Sequence, residues 1–178
     1  NQAHKSPQYL ELNPNGLIPV LEDGALVLYE TAAICLHLLD AHPESPLAPA
    51  IGTTARAHFY KWLAWLTNTL QTSLIVYFYP ERWADDAGAI AQVKARAEAK
   101  VGTLLQQLDA QLASGPWLLG VEFSAIDLYA LVLCRWTRGF ASRPAREYPH
   151  LGPYLQRLLA RPAVQRVFAR EGLAAPLV

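Results

Sequence analysis

The apolar positions change period about a quarter of the way along the chain. Between Ser6 and His42 the pattern shifts quickly: a short helix-like stretch from Pro7 to Leu12, then the turn-rich Asn13-Pro14-Asn15-Gly16. Two strand-like runs follow, Ile18-Pro19-Val20-Leu21-Glu22 and Leu26-Val27-Leu28-Tyr29. Asp23-Gly24 between them predicts a hairpin with a type I′ turn, in which both central residues take positive φ. Thr31 is placed to cap a helix from Ala32 to Asp40, where Ile34, Leu38 and Leu39 fall at helical spacing before Pro43 stops it.

Pro43, Pro46 and Pro49 cannot continue a helix, so they predict an extended linker. Residues 1–42 then form one domain, 43–52 the linker and 53–178 a second domain that reads as helix throughout. The predicted helices run roughly Thr54 to Phe78, Ala89 to Ala113, Ser124 to Arg138, Leu151 to Ala160 and Ala163 to Arg170. In the second, Ile90, Val93, Ala97, Val101, Leu104, Leu105, Leu108 and Leu112 step by three and four, giving one apolar stripe. Phe123-Ser124-Ala125-Ile126-Asp127-Leu128 carries a capping box, with Ser124 at the N-cap and an acid three residues on. That box explains Asp127 as a folding residue rather than a catalytic one.

Composition narrows the function classes. With 52% hydrophobic and 17% charged residues the chain is too apolar for disorder, and its 15 basic residues balance 15 acidic ones. No overall field favours nucleic acid or an anionic membrane. The most apolar stretch, Trp62 to Pro80, is broken by Thr67, Asn68, Thr69, Gln71, Thr72 and Ser73, so no bilayer span is expected. Cys35 and Cys134 stand apart in apolar runs without metal-ligand spacing, which predicts no metal and a reducing, cytoplasmic setting; Cys35, between Ile34 and Leu36 on a helix, reads as a buried small hydrophobe. The start, Asn1-Gln2-Ala3-His4-Lys5, has no signal-peptide pattern and reads as mid-protein sequence.

A lone hairpin with a helix on each side leaves strand faces uncovered. The economical completion is a βαβ unit of roughly 30 residues upstream, making a thioredoxin-like layer; strands from a second chain are the alternative.

In order along the chain, Gly-Leu-Ile-Pro-Val-Leu, Leu-Tyr-Glu-Thr-Ala-Ala-Ile, the proline-rich linker and Phe-Ser-Ala-Ile-Asp-Leu resemble the soluble glutathione transferases, above all their bacterial members. The resemblance runs from about Ser6 to the C-terminus. It implies an α/β thioredoxin-like N-terminal part, incomplete here, and an all-α C-terminal domain. It also implies a cis bond before Pro19, with the Ile18 N–H and C=O offered to the cysteinyl part of glutathione. Glu30 and Thr31 match the family's clamp on the γ-glutamyl group, Thr31 standing where Ser is common. Lys5, with His4 beside it, falls where a basic side chain meets the glycine carboxylate.

The resemblance further implies an acceptor pocket between the domains, with Tyr60, Trp65, Thr69, Gln71 and Tyr77 as candidate lining. Asn and His of related bacterial proteins fall on Ala64 and Gln71, which removes that histidine's proton-handling role. The implied reaction is attack of the glutathione thiolate on a hydrophobic electrophile or a disulfide, with glutathione as co-substrate. A free thiol has a pKa of about 8.5, so the family stabilises the anion with a Ser, Cys or Tyr near the end of its first strand. No residue here takes that role; it is expected upstream of Asn1, and a chain without that segment is expected to turn over little. A homodimer is implied. The alternatives are a non-catalytic binding or scaffold protein of the same fold, and a glutathione-dependent disulfide reductase or isomerase.

Overall fold

The computed structural model describes residues 2–178. The chain forms two compact units, one ending at Leu47 and the other spanning Ala48–Val178.

In the first unit a short 3-10 turn, Ala3–Lys5, leads into α1 (Pro7–Leu12), followed by β1 (Val20–Asp23), β2 (Leu26–Tyr29) and α2 (Thr31–Ala41). Ser6 starts α1 by accepting the Tyr9 N–H at 3.3 Å, and Pro7 occupies the first helical position, where its missing N–H costs nothing. The strands pair antiparallel in the register Val20↔Tyr29 to Asp23↔Leu26. The connecting loop is therefore Gly24-Ala25 rather than the predicted Asp23-Gly24. Gly24 has φ +59°, and Ala25 is not among the residues with positive φ, which is the type II′ pattern in place of type I′. Asp23 extends the strand and meets the His37 ring of α2 at 3.3 Å. Ile34 is the buried apolar side chain of this unit, whereas Leu17, Ile18, Val27 and Leu38 are exposed.

The second unit is helical. A continuous helical rod holds α3 (Thr54–Trp65), a π-helical segment Leu66–Gln71 and α4 (Thr72–Phe78), matching the predicted span with a wider turn in its middle. Then come α5 (Ala87–Leu112), α6 (Ala125–Trp136), α7 (Leu151–Leu159) and α8 (Pro162–Arg170). The predicted stripe of α5 is the face that packs inward: Ala97, Val101, Leu104, Leu105, Leu108 and Leu112 are buried. Phe59, Trp62, Leu66, Leu70 and Leu74 of the rod, Ile126 and Leu133 of α6, and Leu151 and Leu155 of α7 are buried as well.

Buried polar groups fix the order of these helices. Asp127, fully buried, accepts from the Leu118 N–H at 3.0 Å, the Ser124 N–H at 2.8 Å, the Ser124 hydroxyl at 3.3 Å and the Tyr154 hydroxyl at 3.0 Å. Burial pushes its carboxyl upward, and these four donors pull it back. The capping box predicted from sequence is present. Asp109 on α5 accepts both the His150 and Leu151 N–H groups at 2.8 Å, capping α7 from another helix.

Candidate functional site

In the first unit the loop before β1 is built from within. Asn13, 3% exposed, donates its side-chain amide to the Leu17 carbonyl at 2.8 Å and accepts the Asn15 N–H at 3.0 Å. The Tyr9 hydroxyl donates to the same Leu17 carbonyl at 2.7 Å. Gly16 is required here: its φ is +56°, and a Cβ would lie 2.8 Å from the Lys5 Nζ and 3.0 Å from the His4 carbonyl.

Ile18, the residue after Leu17, stays out of the loop's own bonding. Ile18 is 75% exposed, and among the described residues neither its N–H nor its C=O has a hydrogen bond within the chain. The Ile18-Pro19 bond is cis, as the resemblance implied. Because β1 starts at Val20, opposite Tyr29, the register brings Ile18-Pro19 and Glu30-Thr31 to the same end of the hairpin.

That end is also where α2 begins. Glu30 is the N-cap and Thr31 the first helical residue, one position later than the capping role expected of Thr31. Glu30 has φ +76° and ψ +109°, an uncommon backbone for a residue with a Cβ. Its side chain makes no cap bond and is exposed, so the carboxylate is not spent on its own helix. The first N–H groups of α2 and the Thr31 hydroxyl add donors at the positive helix end. The site combines a free peptide edge, a carboxylate and a helix start.

Lys5 lies on the other flank of the loop, its ammonium 3.4 Å from the Asn15 carbonyl. His4, beside it, is partly buried.

The proposed acceptor residues all stand on the α3–π–α4 rod. Tyr60 is 45% exposed and lies under the Arg56 guanidinium, 4.9 Å from ring centre to Cζ. Trp65 packs edge-on to Trp62 at 5.2 Å. Thr69 and Gln71 fall in the π segment, where the Gln71 carbonyl accepts the Tyr129 hydroxyl at 2.6 Å. Tyr77 stacks tilted on Phe140 at 4.4 Å, so it packs inside the second unit. Sequence reasoning did not find the π turn, and its signal was the run of hydroxyls: Thr67 bonds the Leu63 carbonyl at 3.1 Å, Thr72 that of Asn68 at 2.7 Å and Ser73 that of Thr69 at 2.8 Å. It also missed an aromatic groove of about 420 Å³ between Ile75 and Phe78 of the rod, Tyr79 just after it, and Arg135 and Trp136 of α6.

Burial works against the thiolate at both cysteines. Burial pushes the Cys35 thiol up and raises Cys134, in the core, to about 12. Among the described residues no cluster of His, Cys, Asp and Glu could hold a metal ion. Nor is any helix there long and apolar enough to cross a membrane.

A thioredoxin-like α/β unit that opens a peptide edge beside a helix start, followed by an all-helical unit, defines the class of protein: the two-domain thioredoxin-like and helical-bundle architecture. Sequence comparison then gives the family. Residues 1–46 match the model of the glutathione S-transferase N-terminal domain, and residues 69–162 that of the C-terminal domain. A curated relative, glutathione S-transferase GST-4.5 of Xanthomonas campestris pv. campestris, is 30% identical over 95% of this chain and 82% of its own length. The crystal structure of a Sulfitobacter glutathione transferase homologue with bound glutathione superposes with a TM-score of 0.85 at 26% identity, covering 97% of this chain and 82% of the other. A sphingomonad glutathione S-transferase complexed with glutathione gives 0.80 at 34% identity, over 93% and 79%. This chain belongs to the glutathione S-transferase family.

Proposed function

We propose that this protein binds glutathione at the open end of its hairpin and transfers it to a hydrophobic electrophile, working in the cytoplasm as a homodimer. One observation carries the reading: the Val20↔Tyr29 register gathers the unbonded Ile18 peptide and the Glu30-Thr31 helix start at one place. Glutathione is itself a peptide. Its cysteinyl N–H and C=O pair with those of Ile18 beside Pro19, as a short antiparallel contact. Its γ-glutamyl ammonium meets the Glu30 carboxylate, and the adjoining carboxylate meets the Thr31 hydroxyl and N–H. Lys5 supplies a point charge for the glycine carboxylate.

Held in this way, the cysteinyl sulfur attacks the acceptor carbon as thiolate and a leaving group departs with the bonding pair. Residues 43–52 act as the linker between the two domains. Trp65, Thr69 and Tyr60 on the rod, together with the Phe78–Trp136 groove, offer apolar surface for the acceptor. Gln71 faces Tyr129 and orients that helix pair.

Calorimetric titration with glutathione tests the reading. Glu30→Gln and Thr31→Ala are each expected to weaken binding by about tenfold or more, since each removes a charge-assisted contact. Unchanged affinity in both variants would refute the assignment. Turnover of a chromogenic aryl halide by the full-length protein separates a transferase from a scaffold that merely retains the peptide site. Sedimentation at micromolar concentration reports the dimer.

A further inference from the structure

The groove beside the rod has more than apolar walls. Phe78 and Trp136 meet edge-on with ring centres 6.1 Å apart, and both Phe78 and Tyr79 are exposed. Ile75 and Leu173 complete the apolar lining of a space of about 420 Å³. That is within the range usual for small-molecule sites, roughly 300–1,000 Å³. Leu173 belongs to the segment after α8, which is tied down along its length. Its N–H donates to the Phe168 carbonyl at 3.0 Å, and the Arg135 guanidinium donates to the carbonyls of Pro176, at 3.4 Å, and Leu177. Arg146 donates to the Val178 carbonyl at 3.0 Å, and Val178 is buried.

The charged lining is of one sign. Arg135 and Arg138 border the groove where α6 passes into a 3-10 turn, and among the described residues no acidic side chain lines it. Arg135 is occupied: besides the two tail carbonyls, its Cζ lies 5.5 Å from the centre of the Phe168 ring. Burial and the neighbouring Arg138 charge hold Arg135 below the usual guanidinium range, the mark of a positive spot that no carboxylate neutralises. Arg138 differs. It is exposed, and its Nη1 donates to the Arg135 carbonyl at 3.1 Å, which anchors the head group beside the groove. Among the described residues it is paired with no acid, and its Nη2 has no partner. A third guanidinium, that of Arg82, lies 4.2 Å over the Tyr79 ring and adds charge of the same sign. An aromatic slot with an open guanidinium beside it suits an aromatic ring that carries an anion: the ring buries apolar area, and a carboxylate takes N–H donors that no protein group uses.

We propose, resting on the transferase reading above, that the preferred acceptors are aryl halides carrying a carboxylate away from the reacting carbon, with the ring against Phe78 and Trp136 and the carboxylate on Arg138. In the transfer the glutathione sulfur bonds to the ring carbon as the carbon–halogen bond breaks. Halide leaves with the bonding pair, and the thiol proton goes to solvent. Arg138 takes no part in making or breaking these bonds. It selects the acceptor and fixes which end of the ring is left for the sulfur.

The test uses the full chain and two pairs of rings, each pair an acid and its neutral amide. The unreactive pair is 3-nitrobenzoate and 3-nitrobenzamide, followed by calorimetry and by backbone amide shifts. The reactive pair is 4-chloro-3-nitrobenzoate and 4-chloro-3-nitrobenzamide, assayed with glutathione. In the first pair the acid should bind about three- to tenfold more tightly than the amide, with shifts centred on Phe78, Trp136 and Arg138. Arg138→Gln should abolish that preference. In the second pair the ratio of kcat/KM, acid over amide, should fall about three- to tenfold in the variant, and through KM rather than kcat; comparing ratios cancels the rings' own reactivities. Equal binding of acid and amide by the wild type, shifts centred elsewhere, a ratio untouched by Arg138→Gln, or anion-selective binding without thioether product would each overturn the proposal. The wild-type pair decides the question even if the variant were to fold poorly. Glutathione affinity, titrated separately, tells the two readings apart: glutathione bound with no preference for the acid overturns the acceptor class alone, whereas no glutathione binding overturns both.

Discussion

Asn13 shows how much one side chain can set. Among the described residues it is the buried polar side chain of the first unit, and its amide closes the loop that leaves Ile18 outward. Replacing it with alanine strands the Asn15 N–H and removes one of two donors to the Leu17 carbonyl. Asn13→Ala should therefore lower stability by about 1–3 kcal/mol, read from the urea midpoint, and weaken glutathione binding without touching the ligand. In sequence, Asn13 was legible only as part of a turn, because a turn-forming Asn and a loop-locking Asn have the same local signature.

The cysteines give a second test at this scale. With both thiols raised by burial, the native protein should react slowly with an aromatic disulfide reagent at pH 8, Cys134 reacting only on unfolding. The unfolded chain loses the Cys134 proton above its ordinary value of 9.0, while the folded chain keeps it to about 12. Between those values the unfolded state binds fewer protons, so stability falls as pH rises. Cys134→Ser should flatten that alkaline slope in denaturation curves taken at successive pH values.

Among the elements, helix existence was written in the apolar periodicity, and the five long helical stretches stand within a few residues of their predicted bounds. Departures arose where a hydrogen-bond partner lay elsewhere in the chain or where turn geometry overrode the local cue. At the hairpin, Gly24 carries the positive φ alone, so Asp23 is free to join the strand and meet His37. At α7, the N-terminal N–H groups are capped by Asp109, 41 residues before His150, and no sequence window reveals that pair. Asp109→Ala should unmake two buried bonds and destabilise the helical unit by about 2–3 kcal/mol. Asp109→Asn, which keeps an acceptor oxygen, should cost clearly less; thermal melts of the two variants check this.

For the whole molecule, the distribution of burial predicts unequal autonomy. Among the described residues every buried apolar side chain except Ile34 belongs to the helical unit, while the first unit exposes Leu17, Ile18, Val27 and Leu38. A chain of residues 48–178 should fold cooperatively by itself, with a helical circular-dichroism spectrum and a single urea transition. Residues 1–47 alone should give no such transition, since a two-stranded sheet with so little buried surface cannot offset its ordering entropy. A stable isolated first unit, or a molten second one, would contradict this division.

By itself the sequence determined which segments are helix or strand, where the capping box falls, and the order of motifs that matched the family, because each of these rests on spacing and local bonding a few residues wide. Tertiary structure alone decided that Ile18-Pro19 and Glu30-Thr31 meet at one hairpin end, that a π turn widens the long rod, and that His58 and Lys61 border a cavity against the loop after α5. Those features depend on register and on contacts between distant segments. Such contacts form only when the chain has buried its apolar faces.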